Sequence, residues 1–475
     1  MNPHTLPPIP PRDTPYAIPP AALRDRCADL PYMTSVGIKE LFADAPDAIS
    51  LASPEIIRAQ VKRDTLKALE DVDLSMIRPG DSVNILASHH GFMIYGGTAY
   101  AEMLATIRDE VERRCGTQDI FLRLGSGLRA REGDQLIKTH GLDKRFHKKA
   151  SGMAPMDPGV PIETEIGTFY GVKSAYSARW IIHAHNSDLR ELHYHRYLGR
   201  LLKPFAMSYA TAETRSTFHQ CMGPRAANLV QRMIYQSPFV QEKFAASVIL
   251  KVAPTGIAGV DASNDLLLQD KKLTKQSLIW FGKMATLLSR IEDVVAVIDY
   301  PNSIPYTTAG GILFCNFINA NVDEFDLDTA FTPFSRYMDM LYDGDDVLFD
   351  KALVPPPNPA IRALVVNYCL RGYPGTFFAQ QLPTMVVGPQ AELLRNCVQN
   401  ATFMDSALEV ENLKKGVDFA RKVTGSENIL AFDGAVGGLN VSCALAEQLR
   451  AMAPAISEEV DGVLLPKWLA QRGLT

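Results

Sequence analysis

The sequence predicts an α/β fold: two α/β domains with mainly parallel sheets and a ligand cleft between them. Three observations carry this. Short apolar runs of strand length alternate with stretches of helical periodicity, the pattern of parallel strands joined by covering helices. The chain has 475 residues, which favours two or three domains. Hydrophobic residues at 47% and charged residues at 21% give the balance of an ordinary soluble globular protein.

The first thirty residues contain eight prolines and no apolar period, so residues 1–30 read as an extended, flexible, polyproline-like arm. The first domain is placed at residues 31–270. Within it Val83–Ala87 (VNILA) is a strand, and Thr98–Cys115 is a helix with Met103, Leu104, Ile107 and Val111 on one face. Ile120–Leu124, Arg179–His183 and Ala246–Val252 are the next strands. The boundary is set near residues 265–275, where NDLLLQDKKLTK turns polar, and the second domain runs over 271–475. A long helical pattern starts at Thr274. Val294–Ile298, Gly311–Phe314, Arg362–Val366, Thr384–Val387 and Ile429–Phe432 then alternate with helices such as Ser406–Lys422.

Composition excludes several function classes. A net charge of −5 offers nothing to nucleic acid or an anionic membrane. Apolar runs are too short to span a bilayer, and the N-terminus lacks the layout of a secretory signal. Seven scattered cysteines with no C-x-x-C argue against a disulfide framework or a zinc ribbon, and point to a reducing, cytoplasmic setting.

Ligands of open α/β sheets bind beyond the carboxyl ends of the strands. His89 and His90 follow the first strand, Gly125–Arg129 (GSGLR) follows the second, and His183 and His185 end the third. Five of the ten histidines fall between Trp180 and His219, with Lys203 among them. Neutral imidazole binds nickel or zinc and titrates near neutrality, and a lysine amine can link covalently to a carbonyl-type cofactor. Lone histidines such as His140 and His147 read as structural.

His193, Lys203 and His219 stand ten and sixteen positions apart, and in this spacing the chain resembles the nickel-dependent lactate racemases and related 2-hydroxyacid racemases and epimerases. The likeness extends through the strand–GSGLR–helix segment to Ile429–Val441 (ILAFDGAVGGLNV). The resemblance implies an isomerase carrying a nickel-pincer pyridinium mononucleotide that takes hydride from the α-carbon of a 2-hydroxy acid and returns it. By position, Lys203 tethers the cofactor, His219 binds nickel, and His193 is an acid–base group. His89 and Gly91 occupy the cofactor's phosphate loop, where the family has an aspartate and an arginine around the phosphate. Arg129 stands where a second catalytic histidine is expected. An arginine is no base near neutral pH, but it grips a carboxylate through two parallel hydrogen bonds. The implied partners are the small acid and the cofactor-synthesis enzymes.

Two other readings remain open. One is a metal-dependent hydrolase or lyase using His183 and His185 with His193 or His195. Those last two cannot share a face of a helix spanning Asp188 to Leu202. The other is a non-catalytic relative that binds a small acid.

Overall fold

The computed structural model describes residues 25–126, 132–187, 199–221, 227–299, 323, 325–328, 357–368, 376–396 and 403–474, with side chains left undescribed at 219–221, 227–228 and 376–378. Two parallel-dominated sheets form the frame, so the expected α/β class holds. In the first sheet, β2 (Val83–Ser88) is buried at all six positions. A strand with no solvent face needs neighbours on both edges and cover on both sides. It has β3 (Ile120–Gly125) on one edge and β7 (Trp180–Asn186) on the other, both parallel. β4 (Ala150–Met153) continues beyond β3, and β8 (Phe244–Ala253) beyond β7. β9 (Gly256–Ser263) closes that edge antiparallel to β8. A separate antiparallel hairpin pairs β5 (Gly159–Thr164) with β6 (Gly167–Val172).

The second sheet is centred on β10 (Val294–Asp299), again buried throughout. Parallel to it run β11 (Ile361–Tyr368), β12 (Thr384–Val387) and β13 (Leu408–Val410) on one side, and β14 (Ile429–Phe432) on the other. β15 (Gly438–Ser442) turns back antiparallel to β14. The edge strand is β1 (Met33–Gly37), which crosses from the far end of the chain to pair with β15. One apolar core is shared by both sheets, containing Ile85 and Leu104 of the first and Ala296 and Leu430 of the second.

Several elements differ from expectation for identifiable reasons. The last part of the proline-rich arm is docked rather than free. Arg26 donates from Nε to Asp299 at 3.1 Å and from Nη2 to its carbonyl at 2.9 Å, and the Cys27 amide donates to the same carboxylate at 2.7 Å. The long helix begins at Leu266 rather than Thr274, because the Asp265 side chain accepts from Leu268 N–H and caps it. It runs unbroken to Ser289, so the polar stretch read as a boundary is helical, with Gln269 and Asp270 turned inward and buried. Residues 408–410 of the expected helix 406–422 are strand β13. The helix starts at Leu413, where Asn412 accepts from Lys415 N–H. The expected strand Gly311–Phe314 lies outside the described residues, as does the expected helix from Asp188 up to residue 198. Its end, Arg200–Leu202, is a single 3-10 turn after Gly199 at φ +100°. No helix among the described residues is long and apolar enough to cross a membrane.

Candidate functional site at the carboxyl edge of the first sheet

The segment bearing Lys203 lies across the carboxyl ends of three parallel strands. Arg200 donates through Nη2 to the carbonyl of Ser187, just past β7. Ser208 Oγ donates to Ser88 Oγ, at the end of β2, at 2.9 Å. Gly125, the last residue of β3, is so close to Ser208 that a Cβ there would approach its carbonyl oxygen to well under 3.0 Å. From the other side the buried carboxylate of Asp270 accepts from the amides of Gly199 at 2.6 Å and Leu201 at 2.9 Å. Lys203 opens the short helix Lys203–Ala206 and is only 9% exposed. A lysine enclosed in this way is an unusual residue to find off the surface.

The neighbouring elements that carry the other expected residues are drawn to the same edge. The helix Ala212–Cys221 contains His219, whose side chain is outside the described set. One turn earlier, buried Arg215 donates from Nε to the carbonyl of Ala210 and from Nη1 to that of Ser126, both at 3.1 Å. Burial brings the Arg215 guanidinium down to about 10. Ser126 is the last described residue before 127–131, which include Arg129. Arg129 and His193 both lie outside the described residues.

The loop after β2 is described in full. Ser88 accepts from His90 N–H and begins the turn His89–Met93, with His89 buried. Gly91 answers to Tyr100: a Cβ there would meet the Tyr100 ring far inside contact distance. That ring matters, because its hydroxyl donates to Ala184 O at 2.7 Å and accepts from Ser88 N–H at 3.2 Å, joining β2 to β7.

His183 and His185 alternate with Ile182 and Ala184 along β7 and so share the face covered by the 203–209 segment. His183 is fully enclosed, with its ring centroid 5.4 Å from that of Phe205. Tyr209 Oη donates to Leu86 O at 3.0 Å, so its one proton is committed and the 2.9 Å contact with His183 makes Nδ1–H the donor. Burial, opposed by the backbone of Leu201, lowers the His183 imidazole to about 3. His183 is thus a neutral, fully enclosed imidazole whose Nδ1 is committed to Tyr209. Among the described residues no three histidine, cysteine, aspartate or glutamate side chains gather as a metal site.

The carboxyl edge of the second sheet has its own buried acids. Asp433, after β14, accepts from Asn440 Nδ2 at 2.6 Å and from Ala435 N–H at 2.9 Å. Burial pushes it up to about 7, with the charge of Asp299 adding to the effect. Asp299 accepts from Asn367 at 2.8 Å as well as from Arg26 and Cys27 N–H.

Sequence reasoning singled out Lys203 and the strand-end loops but missed Ser208, Tyr209, Arg215 and Asp270. Their roles rest on partners 69 to 123 positions away, which no local pattern displays. Ser126, inside GSG, was the one cue available.

No family model matches the sequence, and no curated protein does. Among solved structures the chain is similar to the lactate racemase apoprotein from Thermoanaerobacterium thermosaccharolyticum. Identity is 11% over 79% of this chain and 92% of that one, with a TM-score of 0.44.

Proposed function

We propose that this protein is an isomerase of the lactate-racemase type, acting on a 2-hydroxy acid with a nickel-pincer mononucleotide held at the carboxyl edge of the first sheet. The observation that carries the reading is the buried Lys203, fastened across the ends of β2, β3 and β7 beside the helix that bears His219. A buried lysine at a strand edge fits a covalent tether, because its amine can bond to a carbonyl-type group on a cofactor. Lys203 would hold the cofactor and His219 would supply the imidazole to nickel. When bound, the group supplies a hydride acceptor for the substrate's α-carbon. His193 would hold and return the hydroxyl proton, the task for which imidazole is suited near pH 7. Arg129 would orient the substrate carboxylate through two parallel hydrogen bonds, and His89 would sit in the loop facing the cofactor phosphate.

The test is to purify the chain after co-expression with the cofactor-synthesis enzymes. The peptide containing Lys203 should carry a covalent mass addition, the protein should hold nickel, and one enantiomer of a 2-hydroxy acid deuterated at the α-carbon should be converted to the other with its deuterium retained. An unmodified Lys203 without nickel would overturn the proposal. An adduct without interconversion of the enantiomers would retain cofactor binding and remove racemisation, and loss of the deuterium to solvent would replace hydride transfer with proton abstraction.

A further inference from the structure

We propose that a cavity between the starts of the helices Pro54–Glu70 and Thr98–Cys115 is a binding site for a small organic phosphate. The cavity measures about 480 Å3, inside the roughly 300–1,000 Å3 typical of ligand pockets. One part of its wall carries Arg58, His140 and Arg145, and another is apolar, with Leu51, Ile57 and Leu142. A charged end and an apolar end together suit an anion attached to an organic group.

The charges favour an anion. Arg58 and Arg145 line the cavity with one carboxylate, Glu102, and the imidazole of His140. Arg145 is partly balanced by Glu102 at 3.4 Å and Asp109 at 3.5 Å, while among the described residues the ion-pair partner of Arg58 is the exposed Glu55 at 4.0 Å. Gly96 and Thr98 also line the cavity, so the start of an 18-residue helix, preceded by the left-handed Gly96 and Gly97, lies at its wall. A Cβ on Gly97 would come within 3.0 Å of the His140 ring, so the imidazole sits directly against this turn. A guanidinium, an imidazole and a helix start lining one cavity suit a phosphate, whose several oxygens accept more hydrogen bonds than a carboxylate.

The imidazole also gives the site a signature. Burial, reinforced by the charge of Arg58, lowers His140 to about 4, so it is neutral at pH 7. The charged groups facing it across the cavity are Arg58, Glu102 and Arg145. A bound dianion offsets Arg58 and raises His140, so the imidazole takes back part of the proton that the phosphate releases on binding as the dianion. None of these residues belongs to the Lys203 segment, and the proposal does not depend on that reading.

The experiment titrates the full chain with phenyl phosphate and with inorganic phosphate at pH 7. It reads heat in two buffers of different ionisation enthalpy and the His140 ring resonances by NMR. Saturable binding is expected for both, tighter for phenyl phosphate, with fewer protons released by wild type than by His140→Gln. Arg58→Gln should weaken binding at least about tenfold, whereas Lys272→Ala, which removes a remote positive charge, should leave it unchanged. Absence of saturation at ligand on the order of 10 mM would overturn the site. So would equal weakening by Arg58→Gln and Lys272→Ala, or unaltered affinity in an Arg58→Gln protein whose circular dichroism matches wild type.

Discussion

Replacing Gly125 with alanine tests the arrangement that places Lys203. The new methyl would be driven into the carbonyl of Ser208, a backbone atom that cannot rotate away. Restoring normal contact requires the 199–208 segment to move on the order of 1 Å, and overpacking of this kind costs about 1–3 kcal/mol. The same movement stretches the 2.9 Å Ser208–Ser88 hydrogen bond, worth about 1 kcal/mol more. The expected loss is therefore about 2–4 kcal/mol. Urea denaturation followed by circular dichroism measures it as a lower midpoint at unchanged slope. Gly462→Ala is the control, because nothing lies within 4 Å of a Cβ there. It should be neutral or stabilise by roughly 0.5–1 kcal/mol, as Gly-to-Ala changes in helices do. A Gly125→Ala protein within about 0.5 kcal/mol of wild type, the usual range for a harmless surface change, would show that the segment does not lie against β3 as described.

Tyr209→Phe removes the hydroxyl that serves both Leu86 O and His183 Nδ1. It should destabilise by about 1–3 kcal/mol, the cost of leaving buried partners unsatisfied, measured by the same denaturation. Arg26→Ala strips the buried Asp299 of its cation and should cost about 3–5 kcal/mol; limited proteolysis should then cut near residues 25–30, and an uncut N-terminus would count against the docking described. For Asp433, the folded carboxyl near 7 lies above its ordinary value of 3.8, so the native state binds the extra proton between those limits. Its contribution is therefore full below about pH 4 and is lost as pH rises toward 7, at no more than about 1.4 kcal/mol per pH unit. Asp433→Asn should flatten that part of the stability–pH curve, and an unchanged slope would refute the assignment.

Elements buried on both faces were legible in the sequence, because a continuous apolar run has one economical reading. β2, β10, β12 and β14 fall at or within a residue of their expected limits, and the helix Thr98–Cys115 matches at both ends, its stop marked by Gly116 in the left-handed region. Strands that owe their existence to pairing were not legible. The hairpin β5–β6 is partly exposed and threaded with glycine, and β9 ends in polar residues. β1 is defined by β15, some four hundred positions away. At the candidate site, the strand ends and Lys203 could be read from composition and spacing. What fastens them could not: Asp270 looked like part of a solvated linker, and only the fold reveals the two amides it receives.

That helix bears on how the chain can be divided. Leu266–Ser289 packs into the core common to both sheets, while its second turn grips the backbone on which Lys203 rides. A fragment ending at residue 270 would keep Asp270 but strand it at a fraying terminus, where its carboxylate could no longer be aimed. Chimeras that exchange the second half with a relative should therefore cross over beyond Ser289, so that the helix travels whole with the segment it anchors.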